Sequence, residues 1–331
     1  MPLIECERYE IESTSIGKGG FGEVYRALDL LTEEVVVIKT VIASHLYGIN
    51  EPEIRRKFFR EAVVAARLGA CSKNIVAVRD FGYDRDSSMP FFVMDYVEGN
   101  DLSDDIGKTQ PEKAANVLFQ ILLALEVAHD SGVVHSDISP DNILAEPATR
   151  YLKLNDFGLA RLLTSQIATR GRTFSLVGGK PGYLPPMDWQ TGERTFHSDL
   201  FGLAATVLEL VTGAVPTFQW NSGVLTGPNL WKNFSQKELS SIVIDYTVDE
   251  MLSSESKDVW IMGNFVRRLL NKSERRAILK WEDIVKVLQA MLDDETQTVK
   301  TIIEKLRNAS LRNAQAASGK PKPKKGPKRA G

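Results

Sequence analysis

Residues 133–159 read VVHSDISPDNILAEPATRYLKLNDFGL, and this stretch decides how the rest of the chain is interpreted. Its pattern predicts an apolar lead-in, a polar loop, a short strand at residues 143–145, a turn, and a second strand at residues 151–154. Two short strands separated by a turn can pair as a hairpin. We therefore expect the residues that flank this hairpin to meet at one end of it.

Three side chains able to act on a phosphate project from this stretch: Asp137, Asn142 and Asp156. Fourteen positions separate Asn142 from Asp156, but the hairpin would bring them together. A carboxamide and a carboxylate facing each other form an all-oxygen site suited to Mg²⁺. Asp137 would then remain to orient a nucleophile. An isolated Asp carries no information, whereas the ordered set HxD-x4-N followed by DFG is far more specific.

The composition is that of an ordinary globular protein, with 331 residues, 43% hydrophobic and 25% charged. Two distant cysteines, Cys6 and Cys71, supply neither a disulfide framework nor a zinc site, and we expect both to be buried thiols. The N-terminus lacks the features of a signal peptide, and no apolar run approaches the ~20 residues that span a bilayer. These observations predict a cytoplasmic protein without a membrane span.

The net charge of −2 conceals a basic C-terminus. Residues 320–331, KPKPKKGPKRAG, carry six basic and no acidic side chains, so the remainder sums to −8. A Lys/Pro/Gly segment cannot bury a core, and we expect residues 319–331 to be disordered. The tail either solubilises the protein or docks to nucleic acid or another polyanion.

A glycine cluster, IGKGGFGEVY, lies within a β-type pattern and places Gly17, Gly19 and Gly22 in a G-x-G-x-x-G spacing. Such a loop lets backbone N–H groups approach phosphates closely. Dinucleotide-binding folds share this spacing but need a helix directly after the glycines. Residues 23–27, EVYRA, are typical of a strand, which argues against a dinucleotide-binding fold.

Residues 51–69 predict a helix, because apolar side chains recur at spacings of three and four. Glu61 lies on that apolar stripe, where an unpaired carboxylate would be costly. Lys39, at the end of the preceding strand, is the candidate partner, although Glu61 could merely lie at the rim of the helix.

Later segments predict strands at residues 75–81 and 91–96, a connector at 97–100, and a helix capped by Thr109 and Glu112 that runs to about His129. From Ser198 onward the pattern is mainly helical, at 201–213, 256–271, 281–292 and near 296–313.

Together these elements resemble the eukaryotic-type protein kinase family over roughly residues 9–292. The resemblance rests on the glycine loop with Val24, Lys39, Glu61, HSDISPDN, DFG, PGYLPP and SDLFGL, which occur in the family's order. It implies an α+β, bilobal protein-kinase-like fold with a β-rich N-lobe and an α-helical C-lobe. The corresponding boundaries are 1–8 for an N-terminal extension, 9–96 for the N-lobe, 97–292 for the C-lobe, 293–318 for a C-terminal helical extension and 319–331 for the tail.

The resemblance also implies roles for individual residues. Lys39 would hold the α- and β-phosphates of ATP and pair with Glu61, and Asp137 would accept the hydroxyl proton. Asn142 and Asp156 would hold Mg²⁺ or Mn²⁺, and Asp199 would brace the catalytic loop. The nucleotide would contact Gly17, Lys18, Gly19, Gly20, Gly22, Val24, the gatekeeper-like Met94 and the hinge residues Asp95, Tyr96 and Val97.

The catalytic loop departs from the family pattern at two positions. Ser136 replaces an arginine that reads phosphorylation of the activation loop, so we expect that switch to be absent. Ser139 replaces a lysine that contacts the transferred phosphate in serine/threonine kinases. Candidate phosphorylation sites, or ordinary polar loop residues, are Thr164, Thr169, Thr173 and Ser175.

Lys180, in GGKPGY, occupies a position where the family usually has a threonine. We hypothesise that the missing charge has moved, and that Lys180 reaches the space left by Ser139; the alternative is an exposed loop lysine. Met187 replaces the glutamate of the APE pattern, whose usual partner corresponds to Arg276. Asp188 could take the place of that glutamate by a shift of one residue.

The leading interpretation is an active kinase that phosphorylates serine or threonine in protein substrates. A pseudokinase that binds nucleotide as a sensor or scaffold is the first alternative, but every metal and phosphate ligand is retained. A small-molecule kinase of the aminoglycoside or choline type shares HxD-x4-N. Such enzymes lack so complete a glycine loop and the PGYLPP segment.

Overall fold

The structure is a computed structural model that describes residues 8–18, 22–41, 51–85, 90–157, 161–162, 180, 182–185, 188, 191–215, 219–221, 224–226, 243–247 and 276–318. Its N-terminal part is a five-stranded antiparallel sheet in the order β1-β2-β3-β5-β4. The strands are β1 Tyr9–Lys18, β2 Gly22–Asp29, β3 Glu34–Val41, β4 Val78–Tyr83 and β5 Pro90–Asp95.

The strand directly after the glycines confirms the β interpretation of residues 23–27. Alternation along β3 buries Val36 and Ile38 completely on one face, where they join Tyr9 of β1 and Val93 of β5. β-branched residues suit such a pleated, half-buried surface. The helix α1, Glu51–Cys71, matches the predicted helix at residues 51–69 and contacts β4 and β5.

The strand predicted at residues 75–81 begins later, at Val78, because the preceding residues pair elsewhere. Val76 N donates to Leu154 O at 3.0 Å, and Leu154 N donates to Asn74 O at 2.8 Å. These bonds attach the segment between α1 and β4 to the strand that leads to Asp156. The N-terminal sheet is therefore tied by backbone hydrogen bonds to the stretch that carries the candidate site.

The C-terminal part is organised around two core helices that pack against each other, α2 Pro111–Asp130 and α3 Phe196–Thr212. α2 buries Leu118, Ile121, Leu122 and Leu125 completely, and each such side chain contributes about 1.5–3 kcal/mol of hydrophobic stabilisation. The predicted capping box at Thr109 is wrong. The N-cap of α2 is Gln110, because a proline occupies the first helical position, and Thr109 Oγ1 instead donates to Asp105 O at 3.0 Å.

Two further helices complete the described part: α4 Trp281–Asp293 and α5 Val299–Ser318. They confirm the helices predicted near residues 281–292 and 296–313, whereas the helix predicted at residues 256–271 lies outside the described residues. Short two-stranded ladders pair β6 Val133–Val134 with β9 Arg161–Leu162, β7 Ile143–Ala145 with β8 Leu152–Leu154, β10 Gln219–Asn221 with β11 Val224–Thr226, and β12 Val243–Thr247 with β13 Arg276–Lys280.

An antiparallel sheet followed by a helical half is the bilobal α+β fold expected from the sequence. Among the described helices, none combines the length and apolar character needed to cross a membrane. Cys71 is exposed at the end of α1, so the prediction of a buried thiol is wrong for this residue. Cys6 and the basic tail lie outside the described residues.

Candidate active site

The β7–β8 hairpin brings the two predicted metal ligands to one end of a paired ladder. Ile143 is paired with Leu154, and Asn155 N donates to Asn142 O at 2.9 Å. Asn142 and Asp156 therefore flank the same end of the hairpin. The prediction that a hairpin unites these two residues is confirmed, with β8 beginning at Leu152 rather than Tyr151.

Asp137 is held in the loop before this hairpin by the amide of Asn142. Asn142 Nδ2 donates to the backbone oxygen of Asp137 at 2.7 Å and to its Oδ2 at 3.0 Å. The other carboxylate oxygen, Oδ1, is buried and has no hydrogen-bond partner among the described residues. Asn142 thus orients the Asp137 side chain through one carboxylate oxygen, and the other oxygen remains able to accept a proton.

Asp199, at the start of α3, fixes the backbone of this loop. Its fully buried carboxylate accepts hydrogen bonds from His135 N at 2.8 Å and Ser136 N at 2.7 Å, and contacts His129 Nε2 at 2.9 Å. This arrangement confirms the bracing role expected of Asp199. Gly202, one turn later, permits the close approach, because a Cβ there would lie 2.9 Å from Ile138 O.

His135 connects the loop to the segment after the hairpin. Its Nδ1 accepts from the amide of Asp137 at 3.3 Å, so its Nε2 carries the proton donated to Asn155 O at 2.9 Å. The ring also packs edge-on against Phe157, with 4.6 Å between centroids. Loop and hairpin are thus linked on both sides of Asp156.

Lys39 reaches the site from the sheet. Its side chain is only 6% exposed, and Nζ lies 2.6 Å from Asp156 Oδ1. The expected partner, Glu61, is in α1, but its side chain lies outside the described residues, so the Lys39–Glu61 pair stays a prediction. The structure places an ammonium group and a candidate metal-binding carboxylate in direct contact.

An apolar cleft opens beside this pair, between the sheet and the hairpin. Val24, Met94, Phe92 and Leu154 line it together with Lys39 and Asp156. Its lining combines apolar side chains with an ammonium and a carboxylate at one end, which is the chemistry that a flat aromatic base with a charged tail requires.

The expected hinge residues follow Met94 in the chain, but none of them is among the described residues that line this cleft. The Asp95 carboxylate pairs with Arg79 Nε at 2.5 Å. Tyr96 is partly exposed, with the Arg26 guanidinium 5.4 Å from its ring centroid, and Val97 is buried. Gly17 lies opposite Val24 in the β1–β2 register. Gly19, Gly20 and the side chain of Lys18 lie outside the described residues.

Lys180 contacts the catalytic loop. Its Nζ donates to Ser139 Oγ at 3.0 Å and pairs with the Asp141 carboxylate. Ser139 is fully buried, and its hydroxyl donates to Asp141 Oδ1 at 2.8 Å. The expectation that Lys180 reaches Ser139 is met geometrically, and its catalytic role remains a hypothesis.

Asp188, the suggested substitute for the APE glutamate, points toward α3. Its carboxylate accepts from Ser198 Oγ, its backbone oxygen accepts from Arg194, and burial raises the pKa of its carboxyl group. Met187 and the side chain of Arg276 lie outside the described residues, as do the candidate phosphorylation sites. A pair between Asp188 and Arg276 therefore stays a prediction.

Two buried polar contacts near the site were not anticipated from the sequence. Tyr183 donates its hydroxyl to Glu209 in α3, and burial together with this carboxylate raises the pKa of Tyr183. Gln120, in the core of α2, accepts from Asn74 Nδ2 and Leu152 N, both at 2.8 Å. The available signal was a pair of polar residues, Asn116 and Gln120, one turn apart in a largely apolar helix, because buried polar groups require partners.

The donor set fits a hard divalent cation. Asn142 donates through Nδ2, so its carbonyl oxygen faces away from Asp137, and Asp156 adds a carboxylate at the same end of the hairpin. Oxygen ligands of this type suit Mg²⁺, which keeps several of its waters and needs few protein ligands. Within the described ranges, no cluster of three His, Cys, Asp or Glu side chains could hold a metal. The amide–carboxylate pair is therefore the candidate cation site in this part of the chain.

A protein kinase domain model matches residues 9–308 of the chain. Serine/threonine-protein kinase pkn3 of Myxococcus xanthus is 34% identical over 224 residues, which cover 66% of this chain and 40% of that protein. Serine/threonine-protein kinase A of Synechocystis is 35% identical over 231 residues, covering 66% and 43%. Serine/threonine-protein kinase PrkC of Bacillus subtilis is 31% identical over 305 residues, covering 87% and 45%. The chain thus spans less than half the length of these curated relatives.

Proposed function

The chain belongs to the protein kinase family, and from this premise we propose that it transfers the γ-phosphoryl group of ATP to serine or threonine hydroxyls of proteins. The observation that carries the proposal is the hydrogen bonding of the Asp137 carboxylate. Asn142 orients one oxygen of its carboxylate, and the other is buried without a partner among the described residues. A carboxylate held in this way is suited to accept the proton of an incoming hydroxyl.

In the proposed reaction the cleft between Val24, Met94 and Leu154 receives adenine, and Lys39 binds the α- and β-phosphates. The substrate hydroxyl then lies against Asp137, in line with the γ-phosphorus. Its oxygen forms the new bond to phosphorus while the bond to the β–γ bridging oxygen breaks, and its proton passes to Asp137. ADP leaves with the electrons of the broken bond.

Mg²⁺, or Mn²⁺ in its place, would be held by Asn142 and Asp156 and would supply positive charge against the phosphate oxygens. Asp156 also pairs with Lys39, so the residue that would hold the metal positions the phosphate-binding ammonium. Asp199 and His135 keep the loop and hairpin in register through backbone hydrogen bonds. The serine/threonine assignment is supported by the names of the three relatives.

The test is transfer of label from γ-labelled ATP, with Mg²⁺, to the protein itself and to generic substrate proteins. Transfer should fall by at least about 10²-fold in Asp137→Ala and Asp156→Ala variants. Asp104→Ala, on an exposed turn of the same lobe, should transfer at the wild-type rate. Nucleotide binding without transfer would instead favour a pseudokinase, and label confined to added small molecules would favour a small-molecule kinase.

We further propose that the enzyme works in the cytoplasm, where ATP is available, and that its basic C-terminal tail docks to nucleic acid or another polyanion. The six basic residues of segment 320–331 support such docking. Deleting residues 319–331 should lower affinity for a polyanion such as heparin, and the difference should shrink as salt is raised. Equal affinity with and without the tail would leave it a solubilising segment.

A further inference from the structure

The catalytic loop has no lysine or arginine of its own. Residues 133–142, VVHSDISPDN, contain neither Lys nor Arg. Phosphoryl transfer concentrates negative charge on the oxygens of the transferred group, and placed cations are a main source of stabilisation for that charge. Lys39 is engaged with Asp156 at the other side of the site. A second cation close to Asp137 would therefore have to come from elsewhere in the chain.

Lys180 brings an ammonium group to this loop from a segment 41 residues away. Its Nζ lies 3.0 Å from Ser139 Oγ, and Ser139 follows Asp137 by two residues. Two residues of extended chain span at most about 7 Å, so the ammonium contacts the same short loop that presents Asp137. Lys180 forms no ion pair with Asp137 itself among the described contacts, which leaves that carboxylate available to accept a proton.

The contacts of Lys180 position its ammonium group but are weak enough to be exchanged for contacts with a substrate. Asp141 accepts from Ser139 through Oδ1 and from Lys180 through Oδ2, so three side chains form one small network. The side chains of Lys180 and Asp141 are 39% and 42% exposed, and ion pairs at such exposure are weak. A phosphoryl group carries more charge than one carboxylate and can draw the ammonium away from Asp141.

We propose that Lys180 is a catalytic residue that contacts the oxygens of the phosphoryl group during transfer, with Ser139 and Asp141 holding it in place beforehand. This inference rests on the proposed kinase activity. The bond changes are those already described: the hydroxyl oxygen binds the γ-phosphorus, the β–γ bridging bond breaks, and the proton goes to Asp137. Lys180 neutralises charge on the oxygens that do not change bonds, and neither gives nor takes a proton.

The experiment compares wild type with Lys180→Met, Lys180→Arg and the double variant Ser139→Lys/Lys180→Met. Lys180→Met should lower kcat by about 10²-fold and leave KM for ATP within a few-fold, because only the transition state needs the charge. Lys180→Arg should keep most of the rate. The double variant, which returns an ammonium to the loop from position 139, should recover at least tenfold. Lys286→Met, which removes an exposed lysine paired with Glu282, should match wild type.

A second measurement compares the binding of ADP with the binding of ADP plus aluminium fluoride, which mimics the phosphoryl group during transfer. Loss of a lysine with only a structural role would weaken both to the same extent. Lys180→Met should bind ADP normally and lose affinity for the fluoride complex by a factor similar to the loss in kcat. An unchanged kcat, or an equal loss of affinity for both ligands, would overturn the proposal. A wild-type protein that transfers no phosphoryl group would overturn the proposed function instead, before any Lys180 variant is compared.

Discussion

The Asp199 carboxylate accepts a hydrogen bond from the amide of Ser136 at 2.7 Å, and Ser136 has a φ angle of 76°, in the left-handed region that serine rarely adopts. The two residues are 63 positions apart in the chain. This bond, with a second one to the amide of His135, fixes the backbone at the residue just before Asp137. A buried charge on α3 thus holds a strained loop in the conformation that presents the proposed base.

Replacing Asp199 by Asn should impair both stability and activity. The amide has a single acceptor oxygen and would direct an NH₂ group at one of the backbone donors of His135 and Ser136. Loss of such charge-assisted bonds in a fully buried site should cost about 2–4 kcal/mol in the free energy of unfolding, measured in guanidinium chloride. Phosphoryl transfer should fall by at least about tenfold in protein that remains folded. Wild-type stability in Asp199→Asn would show that the loop is held by other contacts.

Replacing Ser136 by Gly should stabilise the protein. Glycine adopts a positive φ without steric cost, and the substitution also removes a buried hydroxyl that has no hydrogen-bond partner among the described residues. After the entropy cost of glycine in the unfolded chain, we expect a net gain of about 1 kcal/mol, or roughly 2–4 °C in Tm. Ser136→Ala is the matched control, because it removes the hydroxyl and keeps the strained Cβ. A larger gain in Ala than in Gly would contradict the role of the φ angle.

Removal of the divalent cation should abolish stabilisation by nucleotide. ADP with Mg²⁺ at about 100 times its dissociation constant should stabilise the wild type by about 2.7 kcal/mol, a rise of several degrees in Tm. The rise should largely disappear with EDTA, and also in Asp156→Asn with Mg²⁺ present, because that variant loses a charged ligand oxygen. Asp80→Asn, at a carboxylate on β4 that bonds to Arg8 and Tyr9, should retain the rise. An equal rise in Asp156→Asn and wild type would place the cation elsewhere.

Gln120 should matter for stability well beyond the size of its side chain. Replacing it by Leu keeps the volume but leaves the amides of Asn74 and Leu152 without the oxygen that they share. Stranded buried donors should cost about 2–4 kcal/mol in the free energy of unfolding. Ile121→Val, at the adjacent, equally buried position, removes only a methyl group and should cost about 1 kcal/mol. Similar losses in the two variants would mean that the network is dispensable.

The stabilisation of the fold by Arg8 should depend on pH and should be lost in strong acid. Its guanidinium bonds to Asp29 at 2.7 Å, and this bond lowers the pKa of the Asp29 carboxyl from 3.8 to about 2. A lowered folded-state pKa gives stability that is present above about pH 4 and is lost as pH falls toward 2. The Tm difference between wild type and Arg8→Met should therefore be constant above pH 5 and should shrink between pH 4 and 2. A difference that stays constant across this range would exclude the ion pair as its source.

Local patterns were enough to predict most of the secondary structure and the hairpin. The alternation in β3, the period of α1 and the stripe of α2 each reflect burial of one face, which a sequence displays directly. The predicted ends of strands and helices were wrong where other contacts or residues set the boundary. The start of β4 moved because Val76 bonds to Leu154, and the capping box at Thr109 did not form because Pro111 set the helix start.

The sequence by itself determined the inventory of the site and its order: a glycine loop, Lys39, Asp137, Asn142 and Asp156, and a loop without a cation of its own. Only the tertiary structure decided which of these groups touch. It placed Lys39 on Asp156 across 117 positions, Asp199 on the loop backbone across 64, and Lys180 on Ser139 across 41. Hydrophobic periodicity and turn chemistry act between near neighbours and can be read along the chain. A hydrogen bond between distant side chains depends on distances and angles that exist only after the core has packed.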